Sequence, residues 1–204
     1  MTDLADLTPT GICNLALSAA EVPSVLVNVE TETNSKAARV CRLHFAKSRQ
    51  SVLRNFAFSF SQAWQPIAEQ SPAPVAGRFR HAFTLPATCL RVVRVEGVNK
   101  RDWRPAGQHV LLVCRAGPLN ALLVEDKPVL TEWDALAIDL LVLDLAQRIA
   151  PELTHLQGLR DRLERQYKDI AFLAPKLDAF EADSEEDDAD FETYVPESIA
   201  VRYT

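Results

Sequence analysis

The chain has 204 residues, of which 48% are hydrophobic and 25% charged, and this composition is typical of a globular protein and excludes a fibrous or wholly disordered one. No apolar run reaches the roughly 20 residues that a membrane helix needs, and the N-terminus lacks the basic start and apolar core of a signal peptide, so we expect the protein in the cytoplasm. The net charge of -6 is unevenly distributed, because residues 178–192 hold nine carboxylates and no lysine or arginine.

The first helix is predicted within residues 8–21. One face of this segment is apolar at the three-and-four spacing of a helix that packs on a core. Thr8 or Thr10 is expected to cap its start, and Pro23 is expected to stop it. The apolar face consists of Ile12, Leu15, Ala16 and Ala19.

A second helix is predicted to begin near Asn34 or Ser35. Its apolar residues recur at intervals of three and four, which indicates a buried stripe along one side. The stripe consists of Ala38, Cys41, Phe45, Ser48, Val52 and Phe56.

The other sides of this second helix are basic. Residues 35–54 contain six lysines and arginines and no carboxylate. Arg39, Arg42 and Arg49 share one face, because steps of three and seven residues return to nearly the same azimuth. Such a face suits nucleic acid, solvent or the carboxylates of another subunit. Because the protein as a whole is acidic, the counterion release that drives DNA binding would be weak, which argues against nucleic acid and leaves solvent and another subunit as the alternatives.

The segment from about 57 to 126 changes to the periodicity of β-strands. In RFRHAFTLP (78–86), Phe79, His81 and Phe83 alternate with other residues, as in a half-buried strand. The β-rich runs CLRVVRVEGV, QHVLLVCRAG and NALLVED follow and are separated by turn residues, while a proline-rich surface loop is expected at 68–77. Several short antiparallel strands are therefore predicted.

Helical spacing returns over residues 131–150 and covers most of the circumference, which predicts a central helix enclosed by neighbours. Pro151 is expected to interrupt it. Thr154 and Gln157 have the T-x-x-Q form of a capping box for a last helix, which Pro175 is expected to end. The apolar positions of that last helix are Leu156, Leu159, Leu163, Tyr167, Ile170 and Ala174.

Together these elements predict an α+β fold in which a bundle of about four helices carries an inserted small antiparallel β-sheet region. The bundle is assigned to residues 1–56 and 127–175, and the β-rich insertion to residues 57–126. Residues 176–204 are predicted to form an acidic linker and an extended C-terminal docking tail, because aromatic and β-branched residues return after the carboxylates. The docking residues of this tail are Phe191, Tyr194, Val195, Ile199 and Tyr203.

The sequence contains no recognised catalytic or metal-binding motif, so we expect no enzymatic activity, no metal and no cofactor. The four cysteines are widely spaced among apolar neighbours and are expected to be free thiols. One alternative is a small cytoplasmic enzyme with Cys89 or Cys114 as nucleophile and Arg91 or Arg115 as the group that lowers its pKa. A DNA-binding regulator that uses the basic helix is the other alternative.

Four segments, taken in order along the chain, carry a resemblance to a known family. They are ICNLALSAAEVPSV from residue 12, NSKAARVCRLHFAKSRQSVLRNFAFSF from residue 34, FRHAFTLPATCLRVVRV from residue 79 and YKDIAFLA from residue 167. These segments resemble the tail tubular protein A family, the head-to-tail adaptor proteins of short-tailed phages and related prophages. The resemblance covers about residues 10 to 175. It departs from the family pattern at Thr88, where the family usually has an aspartate that caps a turn.

The resemblance implies a structural role in the neck or tail of a virion, with assembly in the host cytoplasm. Members of the family form a ring, generally of twelve copies, that joins the portal protein to the tail nozzle protein. DNA passes through the axial channel without specific binding, and no catalytic residue is implied.

Around such a ring each subunit presents two different surfaces, and complementary charge on them helps to set the register. The basic face of the second helix is one candidate, with Arg39, Arg42 and Arg49. The last helix offers the opposite charge at Asp161 and Glu164. We therefore expect these two surfaces to form the subunit interface.

Overall fold

The computed structural model describes residues 7–70, 77–156 and 158–182, and this part of the chain has an α+β fold. It contains four α-helices, α1 (Pro9–Ala19), α2 (Lys36–Phe56), α3 (Ala135–Leu153) and α4 (Leu159–Ala182). Six strands form one sheet, β1 (Gln62–Glu69), β2 (His81–Thr84), β3 (Cys89–Val95), β4 (Trp103–Pro105), β5 (Val110–Val113) and β6 (Leu119–Glu125). The chain divides into two units. The helical unit contains the residues up to Phe60 and those from Val129 onwards, and the sheet unit contains Ser61–Pro128.

Helix α1 begins after Thr8, whose Oγ1 accepts a hydrogen bond from the Gly11 backbone at 3.0 Å. Its buried face differs from the predicted one, since Leu15 is exposed while Cys13 and Leu17 are fully buried. The reason is that α1 packs against both α2 and α3, which encloses adjacent positions on its surface. The helix ends before Pro23, and Glu21 follows with a left-handed backbone.

Helix α2 has the predicted start and most of the predicted stripe. The Ser35 Oγ accepts a hydrogen bond from the Ala38 backbone at 3.2 Å, and Phe45 is half-buried. The helix ends because Ala57 adopts a left-handed conformation with φ 48°. The other predicted stripe residues, Ala38, Cys41, Ser48, Val52 and Phe56, are buried.

Helix α3 is the central helix of the bundle, as its pattern predicted, and it packs against α1, α2 and α4. Asp134 caps its start by accepting a hydrogen bond from the Leu136 backbone at 2.8 Å. Pro151 does not interrupt the helix, which continues to Leu153. Since only the last turn follows this proline, the helix loses little backbone hydrogen bonding to it.

Two predictions about α4 are wrong. Thr154 caps the C-terminal end of α3 and not the start of α4, while Gln157 lies outside the described residues. Pro175 lies within α4, which runs on to Ala182. Asp178 explains this, because its two carboxylate oxygens accept hydrogen bonds from the Ser59 backbone at 3.0 and 3.1 Å.

The sheet has the strand order β3-β6-β1-β2-β5-β4, and every neighbouring pair is antiparallel. The long strand β1, which the pattern of short runs did not single out, pairs with β6 from Gln62 to Ile67. Strand β2 is buried on both faces and not on one as predicted. Phe83 packs in the larger apolar cluster, and Ala82 packs with Phe79 and Leu112 on the other side.

Candidate assembly surfaces

Arg42, expected at a subunit interface, is bonded within its own chain. Its guanidinium group donates hydrogen bonds to the backbone carbonyls of Val29 and Glu32, the latter at 3.0 Å. Both acceptors lie in the segment that joins α1 to α2. Arg42 therefore stabilises this connection, whatever further contact it makes.

The other two basic candidates of α2 differ in their surroundings. Arg39 is exposed, and no described residue forms a hydrogen bond or ion pair with its side chain. Arg49 is half-buried and is engaged within the chain. Of the predicted basic face, Arg39 thus has the side chain most accessible to a second subunit.

The acidic candidates lie in the first turns of α4. Asp161 is exposed, and its backbone carbonyl accepts a hydrogen bond from Arg165 Nε at 3.2 Å. Glu164 pairs with Lys168 one turn later at 3.0 Å, a partly exposed pair that contributes little to stability. Interface roles for both remain predictions.

The predicted docking residues of the C-terminal tail lie outside the described part of the chain. They are Phe191, Tyr194, Val195, Ile199 and Tyr203. Residues 176–182, which were predicted to belong to the linker, are part of α4.

The connection between α1 and α2, residues 20–35, presents apolar side chains to solvent although its backbone is held in place. Asn14 donates to the Leu26 carbonyl at 2.9 Å and accepts from the Leu26 backbone N–H at 2.8 Å. Leu26 and Val29 are buried, whereas the side chains of Val25 and Val27 are 83% and 91% exposed. We call residues 20–35 the valine loop.

The two thiols considered as nucleophiles differ in exposure. Cys89 is 3% exposed in the core of the sheet unit, and Cys114 is half-buried. The guanidinium group of Arg115, one of the two arginines considered as the group that lowers the thiol pKa, donates a hydrogen bond to the Gly97 carbonyl at 3.2 Å. Cys13 is fully buried, and its hydrogen bond to Cys41, together with burial, raises the pKa of the Cys13 thiol.

A cleft of about 460 Å³ opens on the helical unit. Two of its lining side chains contact acidic partners, because Arg148 Nε lies 2.6 Å from Asp144 Oδ2 and His44 Nε2 lies 2.8 Å from Glu152 Oε1. The cleft is lined by His44, Asp144, Gln147, Arg148, Pro151 and Arg160.

A cluster of cations in the sheet unit was not singled out from the sequence. It consists of Arg78, Lys100, Arg101 and Arg104, and we call it the basic edge because three of them lie in or beside the edge strand β4. All four residues are exposed. The sequence indicates this cluster only through the charge of the region, since residues 61–128 contain nine lysines and arginines and five carboxylates.

Comparison of the sequence with protein-family models and with curated proteins finds no match. Among the described residues, no helix is long and apolar enough to cross a membrane. Within the same ranges, no group of three or more His, Cys, Asp or Glu side chains is placed to hold a metal ion.

Proposed function

We propose that this protein is a structural adaptor of a phage virion, which forms a ring between the portal and the tail nozzle and leaves an axial channel for DNA. The support from sequence is the resemblance of four ordered segments, within about residues 10 to 175, to the tail tubular protein A family. Its partners in this proposal are further copies of itself, the portal protein and the tail nozzle protein, and it performs no catalysis.

The structural observation that carries the proposal is the valine loop. The side chains of Val25 and Val27 are exposed to solvent, while hydrogen bonds from Asn14 and Arg42 hold the backbone of the loop in place. Exposed apolar surface is unfavourable in an isolated chain and becomes favourable when a second subunit buries it. A fixed loop also loses little conformational entropy on binding.

The direct test is electron microscopy and mass photometry of the purified full chain, alone and mixed with the portal protein from the same genome. We expect closed rings, either from the chain alone or when the portal is added. A chain that stays monomeric and unbound in the mixture would refute the proposal.

Variants of the valine loop test which surface forms the contact. Val25→Ser with Val27→Ser removes the apolar contact and is expected to abolish rings while the circular dichroism spectrum stays unchanged. Val25→Ile with Val27→Ile keeps the apolar surface and is expected to retain rings. Rings that persist in the serine variant would show that the contact lies elsewhere.

The C-terminal residues are proposed to dock on the portal in an extended form. Tyr194→Ser, Ile199→Ser and Tyr203→Ser together remove apolar side chains and leave the preceding carboxylates intact. We expect portal binding in a pull-down to be lost in this variant. Portal binding at the level of the unmodified chain would exclude this docking.

The channel is proposed to let duplex DNA slide without tight contact, because each cationic contact with phosphate adds salt-sensitive affinity. We therefore predict no tight duplex binding by the full chain at physiological salt. A mobility-shift assay that gives submicromolar affinity under those conditions would contradict this prediction.

A further inference from the structure

The basic edge gathers cations from distant parts of the sheet unit around two aromatic rings. The guanidinium carbons of Arg78 and Arg104 lie 5.0 and 4.9 Å from the ring centre of Phe79. Lys100 Nζ lies 3.6 Å from the ring centre of Trp103. Cation–π contacts of this kind fix the cations in position on the surface.

Arg101 is tied to the same cluster through its backbone. Its carbonyl accepts a hydrogen bond from the guanidinium group of Arg78. The segment Lys100–Asp102 is a short 3-10 turn that leads directly into β4. Arg78 and Arg104 are thus held on one ring, and Lys100 and Arg101 lie in the turn that leads into the same edge strand.

The positive charge of this edge is not neutralised within the described part of the chain. There, no carboxylate forms an ion pair with Arg78, Lys100, Arg101 or Arg104. Burial and, to a smaller extent, the positive charge of Arg91 lower the pKa of Lys100. Arg78 and Arg104, which contact the same ring, repel one another, so an anionic partner would relieve an unfavourable interaction.

The chemistry of the edge favours a carboxylate-rich polypeptide over a nucleic acid. An arginine stacked on a ring still offers a fork of N–H donors that matches a carboxylate. The rings themselves are covered, since Phe79 is 8% and Trp103 4% exposed. They therefore provide no free aromatic face on which bases could stack, which is the main sequence-independent contact of single strands.

The same chain contains a suitable anionic segment. Residues 183–192 hold seven carboxylates and no lysine or arginine. In an assembly of identical copies, each basic edge is accompanied by one such segment, and heterologous contacts need two complementary surfaces of this kind.

We propose that the basic edge of one copy binds the acidic segment 183–192 of a second copy, as part of the subunit interface. This inference rests on the proposed ring assembly, because the contact joins two copies of the chain. The contact itself is measurable without a ring.

The experiment is a fluorescence anisotropy titration of a labelled peptide of residues 183–192. The protein is the full chain in which each Asp or Glu of its own segment is changed to Asn or Gln, so that it does not compete with the peptide. We expect binding at low salt that is lost at high salt, because the contact is between charges.

Substitutions locate the binding surface. Arg101→Gln with Arg104→Gln is expected to weaken peptide binding by about tenfold or more, because two charge-assisted contacts are removed. Arg101→Gln alone serves as a second variant if removal of Arg104 from Phe79 unfolds the sheet unit, and it should weaken binding by several-fold. Lys36→Gln with Lys47→Gln, at exposed positions of α2, makes the same change in net charge and should leave the affinity unchanged.

Three results would overturn this inference: no peptide binding, an equal loss of affinity in the α2 control, or tighter binding of a ten-nucleotide oligothymidylate that the same arginine substitutions weaken. The last result would make the basic edge a nucleic-acid site. The titration measures binding of the peptide to one copy of the chain, so its result does not depend on ring formation. Intact rings with a negative titration would refute this contact and leave the proposed function standing.

Discussion

Ala57 has a backbone conformation that its side chain disfavours. It ends α2 with φ 48°, in the left-handed region where a Cβ atom crowds the following carbonyl. Glycine has no such penalty and is the usual residue at the end of a helix.

Ala57→Gly is therefore expected to stabilise the fold by up to about 1 kcal/mol, after allowance for the larger entropy of glycine in the unfolded chain. Thermal unfolding measures the change. Ala46→Gly is the control, because this exposed residue has ordinary helical geometry and the substitution should cost about 1 kcal/mol. Destabilisation by both substitutions would show that Ala57 is not strained.

Ser48 places a hydroxyl group in the apolar stripe of α2. The residue is fully buried, and its Oγ has no hydrogen-bond partner among the described residues. A buried polar atom without a partner is unfavourable by about 1–3 kcal/mol.

We expect Ser48→Ala to keep or raise the free energy of unfolding, measured by urea denaturation, because it removes the unpaired group. Ser48→Leu should lower it by about 1–3 kcal/mol, since a larger side chain has no room between the helices. A marked loss of stability in the alanine variant would mean that the hydroxyl makes a stabilising hydrogen bond.

At the scale of elements, the length of α4 depends on a contact with a distant part of the chain. Asp178 Oδ1 accepts a hydrogen bond from Ser59 Oγ at 2.7 Å, in addition to the backbone bonds, and the two residues are 119 positions apart. This contact holds the turns of α4 that follow Pro175.

Asp178→Ala is expected to destabilise the helical unit by about 0.5–1.5 kcal/mol, the net value of a typical hydrogen bond, because Ser59 is exposed and water partly replaces the lost acceptor. Hydrogen exchange should accelerate in residues 175–182. Asp169→Ala, at an exposed position of the same helix, should change neither quantity. Equal exchange in the two variants would contradict the role of Asp178.

Arg42 of α2 also contacts a segment outside its own helix. Arg42→Met keeps the apolar stem and removes the donors to Val29 and Glu32, so it should cost about 1–3 kcal/mol and accelerate hydrogen exchange in the valine loop. Arg39→Met should have little effect on stability. If Arg42→Met left stability unchanged but prevented ring formation, the interface role of Arg42 would be correct and the loop-supporting role wrong.

At the scale of the whole molecule, charge is segregated along the chain. The sheet unit has four more cations than carboxylates, whereas the rest of the chain has 13 lysines and arginines and 23 carboxylates. Copies of such a molecule can attract one another locally although each is acidic overall.

Self-association of the full chain should therefore weaken as salt rises from 0.1 to 1 M, because the Debye length falls from about 10 Å to about 3 Å. Sedimentation velocity at several protein concentrations measures this. Association that is unchanged or stronger at high salt would show that apolar contacts, such as those of the valine loop, dominate.

The sequence by itself determined the starts of α1 and α2 and the fold class. Thr8 and Ser35 cap α1 and α2 as their local pattern predicts, and the nearly continuous apolar surface of α3 identifies the central helix. These features are local, since a cap or a buried stripe depends on residues within a few turns of one another.

Only the tertiary structure decided the features that join distant residues. Pro175 predicts the end of a helix by its local chemistry, whereas α4 runs on to Ala182, and Asp178, which follows the proline, accepts hydrogen bonds from the distant Ser59. The basic edge likewise combines Arg78 with Arg104 around one ring, through strand pairing. Periodicity describes one element at a time, so it identifies which side chains are polar or apolar, whereas packing between elements determines which of them meet.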